Sequence, residues 1–209
     1  MERMAVLSLP NRGFPQLVGD AEGLFMHCHQ VTAEYLALKL KNLRILELCC
    51  GIGTITSALS LEAESVYAVD SNSLRIKCAA INLSTYGDPS RVTLKVADVQ
   101  SETIWKEAHP DVVFADPDWA KEGDNKSTHT TDISETQPPV TALLNMANSL
   151  AVQSVVMRLS LMSNLDQLAT YGHFEAEKVC INGIEKYWLV YFGALCVNPG
   201  EKVDLKLNQ

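Results

Sequence analysis

The sequence predicts an α/β fold: a doubly wound, mostly parallel sheet with helices on both faces. Three observations predict it. From Leu43 onward, short apolar runs alternate with stretches of helical periodicity. The first run ends in a glycine-rich turn, Glu47-Leu-Cys-Cys-Gly51-Ile-Gly53, and the next two end at Asp70 and at Asp98. Near the C-terminus two strand-like runs meet at Asn182-Gly183, a strong hairpin signal. Alternating strand and helix implies parallel strands covered on both sides, and the closing hairpin adds the antiparallel part.

Taken in order, Leu43–Leu48 reads as a buried strand and Thr54–Ala63 as the helix after it. Ser65–Asp70 is a second strand, and Leu74–Tyr86 a helix stopped by Gly87. Arg91–Ala97 alternates like a strand, and Asp111–Ala115 is apolar enough to be a buried one. Val140–Ala151 reads as a helix, Ser154–Leu159 as a strand and Asn164–Tyr171 as a helix. Glu175–Ile181 and Tyr187–Leu195 form the hairpin. Residues 1–41 stand apart as an N-terminal loop and helix packing on a single globular domain over 42–209. That segment carries Gly13, Pro15, Gly19 and Gly23, then a helix from about Thr32 to Leu40, with Thr32 and Glu34 suiting its N-terminus. Lys121–Pro139 is polar and long for a loop in a compact domain, which marks a functional lid or a disordered stretch.

Composition narrows the function classes. The 209 residues are 47% hydrophobic and 20% charged, the balance of a globular chain with a sizeable core. No apolar run is long enough to span a bilayer. Met1–Pro10 is too short and mixed for a signal peptide, so a cytoplasmic protein is expected. The six cysteines include no C-x-x-C pair, and several lie in apolar strands, where a thiol behaves as a small hydrophobe. A net charge of −8 argues against broad, nonspecific binding of nucleic acid. It leaves room for an RNA substrate on a local basic patch, for which Lys39, Lys41 and Arg44 with Arg12 are the one modest candidate. Oligomeric state is not readable.

The strongest motif is the turn itself. Glycines at 51 and 53 let the backbone turn tightly and approach a ligand, at the strand ends where open α/β sheets bind theirs. Asp70, with Ser71 and Asn72 after it, is placed to accept hydrogen bonds from ribose hydroxyls, about 20 residues past the glycines. Asp98 can meet an adenine amino group while Val99 packs on the ring. A nicotinamide-binding unit shares much of this. It differs in two respects: its third glycine is Thr56 here, and Glu47 precedes the turn, where it would repel a pyrophosphate and attract the ammonium of a methionine moiety. The set therefore points to S-adenosylmethionine, held by Glu47, Leu48, Cys49, Cys50, Gly51, Gly53, Asp70, Ser71, Asn72, Asp98, Val99 and Asp116.

The fourth strand ends in Asp116-Pro117-Asp118-Trp119. Many methyltransferases acting on planar amino groups carry Asp, Asn or Ser, then Pro-Pro-aromatic, at this place. An exocyclic amine on a purine is a poor nucleophile because its lone pair is delocalised. A side-chain oxygen and a backbone carbonyl that both accept from it localise that lone pair, and the aromatic ring stacks on the base. Asp116, Pro117 and Trp119 match and are the candidate catalytic residues. Asp118 replaces the second proline, which loosens the turn and adds a charge. A half-buried loop aromatic is the plain alternative for Trp119.

Three stretches resemble the trimethylguanosine synthase family of RNA cap guanine-N2 methyltransferases and its prokaryotic relatives. They are Glu22-Gly-Leu-Phe with Val31-Thr-Ala-Glu-Tyr-Leu-Ala, Glu47-Leu-Cys-Cys-Gly-Ile-Gly, and Asp111-Val-Val-Phe-Ala-Asp-Pro-Asp-Trp. Ala33 stands where the family usually has proline. Tyr187-Trp-Leu-Val-Tyr-Phe-Gly is similar to the last strand of related bacterial enzymes. The resemblance implies a Rossmann-like methyltransferase fold of seven strands in the order 3-2-1-4-5-7-6, the last antiparallel. It also implies N-methylation of a guanine in RNA, with Trp119 on the base. A small-molecule or protein methyltransferase, and a noncatalytic module that keeps the fold, stay open.

Other signals carry less. His27-Cys28-His29 lacks further ligands at zinc spacing, so no metal is expected. Cys49-Cys50 reads as small packing residues. No Ser/His/Asp arrangement appears, and nothing in the sequence marks His109, His129 or His173 as a base.

Overall fold

The computed structural model describes residues 4–7, 13–125 and 127–208. Arg12 and most of Met1–Pro10 lie outside the described residues. The chain divides into two compact units, residues 1–110 and 111–208.

In the first unit, β1 (Ala5–Leu7) pairs antiparallel with β2 (Leu17–Gly19), followed by α1 (Ala21–Met26) and α2 (Gln30–Lys39). Then come β3 (Arg44–Leu48), α3 (Thr54–Glu62), β4 (Ser65–Asp70), α4 (Ser73–Tyr86), β5 (Val92–Val96) and α5 (Glu102–Ala108). Strand β4 lies between β3 and β5, parallel to both. The expected apolar runs build the interior: Leu46, Leu48, Ala68 and Val69 are fully buried.

The N-terminal segment is bound into this unit. Phe14, Leu17 and Leu24 form one apolar cluster with Ile52 and Cys78. Ile52 belongs to the glycine turn, so the strap packs directly on it. A Cβ at Gly23 would stand 2.6 Å from the Ile52 side chain, so only glycine permits this approach. Asn82 on α4 ties the pieces together. Its Nδ2 donates to the Val18 and Ile52 carbonyls, both at 2.8 Å, and its Oδ1 accepts the Val18 N–H at 2.9 Å. Arg75 pairs with Asp20 at 3.5 Å and Glu22 at 3.1 Å.

Some boundaries differ from expectation. Helix α2 begins at Gln30, and Thr32 is wholly buried inside it rather than capping it. Helix α1 was not anticipated; Asp20 caps it by accepting the Gly23 N–H. Helix α5 is seven residues long, too short to show a period.

The second unit holds β6 (Val112–Ala115), α6 (Val140–Ser149), β7 (Ser154–Ser160), a 3-10 helix at Leu165–Tyr171, β8 (Phe174–Ile181), β9 (Ile184–Gly193) and β10 (Lys202–Leu207). Its strand order is β10-β8-β9-β7-β6. Strands β6 and β7 are parallel, and β9 runs antiparallel to both β7 and β8. Asn182 (φ 50°) and Gly183 (φ 79°) make the hairpin turn as expected. The segment 164–171 is 3-10 rather than α-helical. Strand β9 stops at Gly193 rather than Leu195, where the backbone meets the Gln153 carbonyl too closely for any Cβ.

Among the described residues the main-sheet strands number eight, three in the first unit and five in the second, rather than the expected seven. The extra one is β10, parallel to β8. It is mostly exposed and alternates charges with aliphatics, so no buried face marks it. No described helix is long and apolar enough to cross a membrane.

The strap yields a prediction. Asn82→Ala leaves the Val18 and Ile52 carbonyls short of their donor, so unfolding stability should fall by about 1–3 kcal/mol. A thermal or urea melt measures that loss, and proteolysis should cut the N-terminal segment first.

Candidate functional site

In the first unit, β3 delivers Glu47 and Leu48 to the turn, both buried. Three of the next five residues are left-handed: Cys49 (φ 61°), Gly51 (φ 56°) and Gly53 (φ 79°). For Cys49 this conformation costs about 1–2 kcal/mol, and the surrounding bonds hold it. Cys50 N–H donates to the Val69 carbonyl at 3.0 Å, and Gly53 N–H to the Cys50 carbonyl at 3.0 Å. Gly53 presses on α4, where a Cβ would lie 2.8 Å from that of Ala79. Gly51 is different, since nothing lies within 4 Å of where its Cβ would be.

Asp70, 6% exposed at the end of β4, latches this turn. One oxygen accepts the Gly51 N–H at 2.9 Å and the other the Asn72 N–H at 2.8 Å. Asn72 caps α4 by accepting from Leu74 and Arg75. Ser71 is exposed beside them. Asp98 is exposed too, and it accepts the Gln100 N–H at 2.9 Å. Val99 is buried, and its carbonyl takes the Trp105 indole N–H at 2.7 Å. The Ala97 N–H meets the Asp70 carbonyl at 3.2 Å, so the ends of β4 and β5 are tied together.

The electrostatics of the turn test its ligand. Burial pushes the Cys50 thiol well up, and the carboxylates of Glu47 and Asp70 push it further. Cys50 is therefore a neutral packing group, not a nucleophile. Two buried carboxylates beside the open face of Gly51 repel a pyrophosphate and suit a cationic ligand with an ammonium and a sulfonium centre. These residues fit S-adenosylmethionine.

In the second unit, Asp116 follows β6, and Pro117 behind it is buried. Arg158, on β7 and 5% exposed, grips the Asp116 carboxylate in a two-pronged fork. Nε donates to Oδ1 at 2.8 Å, and Nη2 lies 2.8 Å from Oδ2. Burial pushes the Asp116 carboxyl up, Arg158 pulls it back, and Asp118 pushes it up again. The guanidinium lies over two rings, 5.2 Å from the Trp119 centroid and 5.0 Å from that of Tyr187. Trp119 donates its indole N–H to the Arg158 carbonyl at 3.1 Å and stays half-buried. His129 stands perpendicular to it, with ring centroids 5.0 Å apart.

The polar loop is the scaffold of this turn. Asp118 donates its N–H to the Gln137 carbonyl at 2.8 Å and accepts the Gln137 N–H at 2.9 Å. Thr130 N–H reaches the Trp119 carbonyl at 2.8 Å. Within the loop, Glu135 accepts from both Thr130 and Lys121, and Ile133 and Thr136 are buried. The described part of the loop is thus tied down by hydrogen bonds. This also explains Asp118: its backbone N–H is in use, and a proline there would have none. Its Oδ1 accepts the Ala120 N–H at 3.1 Å, so the side chain folds back on its own turn.

Sequence reasoning missed Arg158 and His129. Arg158 had a signal, a lone charge inside the apolar run Ser154–Ser160; such a residue is rarely buried without a partner. His129 had none, because its place depends on the loop's pairing. The remaining candidates are structural. His27 and Cys28 are buried, with His27 Nδ1 2.6 Å from the Leu24 carbonyl. No group of three or more potential metal ligands forms among the described residues. All six cysteines are free thiols. Of the basic patch, Lys41 pairs with Glu62 at 2.9 Å and Lys39 lies over the Tyr35 ring.

Two substitutions test the second unit. Arg158→Met strands a buried carboxylate and should cost about 3–5 kcal/mol in a denaturant melt. Adding Asp116→Asn should restore a good part of it. Asp118→Pro deletes the donor to Gln137 and should cost about 1–3 kcal/mol. Hydrogen exchange should show the opening confined to residues 118–137.

Comparisons place the chain. No curated protein matches it. Among solved structures, it is 22% identical to a candidate methyltransferase from Porphyromonas gingivalis W83, with a TM-score of 0.70 over 90% of this chain and 46% of that one. The chain thus spans about half the length of that protein. The S-adenosylmethionine-dependent methyltransferase of Agrobacterium tumefaciens is 14% identical, with a TM-score of 0.61 over 92% of this chain and 71% of that one. The magnesium protoporphyrin IX methyltransferase of Synechocystis PCC 6803, solved with bound S-adenosylmethionine, is also 14% identical, with a TM-score of 0.53 over 79% of this chain and 80% of the other. These likenesses establish the Rossmann-like methyltransferase fold. The sequence profile described as RNA cap guanine-N2 methyltransferase matches residues 42–195. The chain belongs to that family of methyltransferases, and its cofactor is S-adenosylmethionine.

Proposed function

We propose that the protein methylates the exocyclic amine of a guanine in RNA, within the cytoplasm. The observation that carries this reading is the Asp116-Pro117-Asp118-Trp119 turn, with its carboxylate gripped by Arg158 and its indole fixed in a half-exposed position. S-adenosylmethionine supplies an electrophilic methyl group on a sulfonium. The chain's own residues do the rest. Glu47 would receive the ammonium, Asp70 with Ser71 and Asn72 the ribose, Asp98 the adenine amine and Val99 its ring. Leu48, Cys49, Cys50, Gly51 and Gly53 shape the turn.

Asp116 acts on the acceptor. A carboxylate has about four lone-pair sites, and Arg158 engages one on each oxygen. The remaining sites, with the Pro117 carbonyl, can accept from the amine. That localises its lone pair for attack on a methyl carbon. Trp119 would stack on the base.

A second reading, a small-molecule or protein acceptor, is favoured by the net charge of −8 and by Asp118. A noncatalytic binding module is the third. Methyl transfer to guanosine-containing RNA separates them. Trp119→Ala should lower kcat/KM about 10- to 100-fold, the equivalent of one stacked base, and Asp116→Ala should lower kcat. Full activity in both variants would sink the reading. Calorimetry with S-adenosylhomocysteine should show binding to the wild type and to Trp119→Ala. Asp70→Ala should weaken that binding sharply.

A further inference from the structure

His129 is unused by the reaction described above, yet it stands perpendicular to Trp119 with 5.0 Å between ring centroids. Its position is set by the loop: Ala120 and His129 form a bridge, and the next residue's N–H bonds to the Trp119 carbonyl. Its protonation pattern follows from donor counting. The Ser160 hydroxyl oxygen takes the Met162 N–H at 3.1 Å, and its nearest other polar partner is His129 Nδ1 at 2.9 Å. Among the described residues Nδ1 is the only acceptor for the Ser160 hydroxyl hydrogen, so Ser160 donates and Nδ1 accepts. Burial holds the imidazole below its ordinary range, against an opposing pull from Asp118, so the ring is neutral at pH 7. A neutral ring that accepts at Nδ1 carries its proton on Nε2. No described residue accepts from that N–H, and the ring is only partly buried.

We propose that His129 is a specificity-determining residue whose Nε2–H donates to a carbonyl oxygen on the acceptor ring lying against Trp119. It would select guanine over rings that carry the same amine without a carbonyl. The inference rests on the proposed guanine acceptor and deepens it. A donor fixed beside the stacking platform discriminates because an analogue lacking the acceptor leaves it unpaired.

The test uses one oligoribonucleotide carrying a single guanosine and a second with 2-aminopurine in its place. The analogue keeps the amine and lacks the carbonyl. Wild-type kcat/KM should favour guanosine by about five- to tenfold, the worth of one hydrogen bond to a neutral group. His129→Phe keeps a ring beside Trp119 but has no donor, and the ratio should fall to within about twofold of one. His129→Gln retains an N–H and should recover part of the preference. Nitrogen NMR of the wild-type imidazole should find the proton on Nε2, and on either nitrogen in Ser160→Ala. Equal losses on both substrates in His129→Phe, or a wild-type proton on Nδ1, would overturn the proposal while leaving the guanine reading intact. Transfer to neither oligonucleotide by the wild type would overturn the guanine reading and this proposal with it.

Discussion

A carboxylate in a protein interior stays charged only with a counter-charge or hydrogen-bond donors around it, and in the second unit Arg158 supplies both to Asp116. The fork closes on both oxygens, so the pair fixes an orientation as well as a charge. The same arginine lies over Trp119 and Tyr187, and its own carbonyl receives the Trp119 indole N–H. The backbone carbonyl and the cation of one β7 residue therefore locate the two side chains expected to touch a substrate. A lysine could not do this: it would present a point charge to the carboxylate and no plane to the rings.

The first unit solves the opposite problem. Its turn must stay negative and strained, with Cys49 in a conformation that few side chains adopt. Asp70 contributes to both, carrying charge and latching the Gly51 N–H. The N-terminal segment adds packing from behind: Ile52, within the turn itself, lies in one cluster with Phe14, Leu17 and Leu24. Asn82 closes the arrangement by bonding Val18 and Ile52 at once. The N-terminal segment is thus packed and hydrogen-bonded onto the glycine turn.

What the sequence disclosed follows from where its information is local. Strand-end residues such as Asp70 and Asp98 were legible because period and length mark the strands and the turn chemistry marks their ends. The hairpin at Asn182-Gly183 was legible for the same reason. Strand β10 was not, because an exposed edge has no apolar face to alternate. Thr32 misled because a threonine near a helix start is ambiguous between cap and core, and here it is buried within the first turn, with His29 at the cap position. The Lys121–Pro139 loop was legible only as polar. Its polarity serves internal pairing, as in Thr130 with Glu135, as well as solvation. A pattern read along the chain cannot distinguish the two.

That loop also resolves the departure at position 118. A second proline stiffens a turn by removing backbone freedom before folding. A cross-strand bridge stiffens it after folding, at the cost of ordering a partner segment. In this chain the partner is Gln137, reached in both directions by Asp118, with Thr130 securing the next carbonyl. The two solutions differ in what comes with them. A proline ring brings only rigidity. The bridge brings a second strand of chain beside the turn, and with it His129 against Trp119 and Ser160 behind His129. On the proposed reading, the bridge at Asp118 does more than stiffen the turn: it sets beside Trp119 the side chain that would discriminate among acceptors.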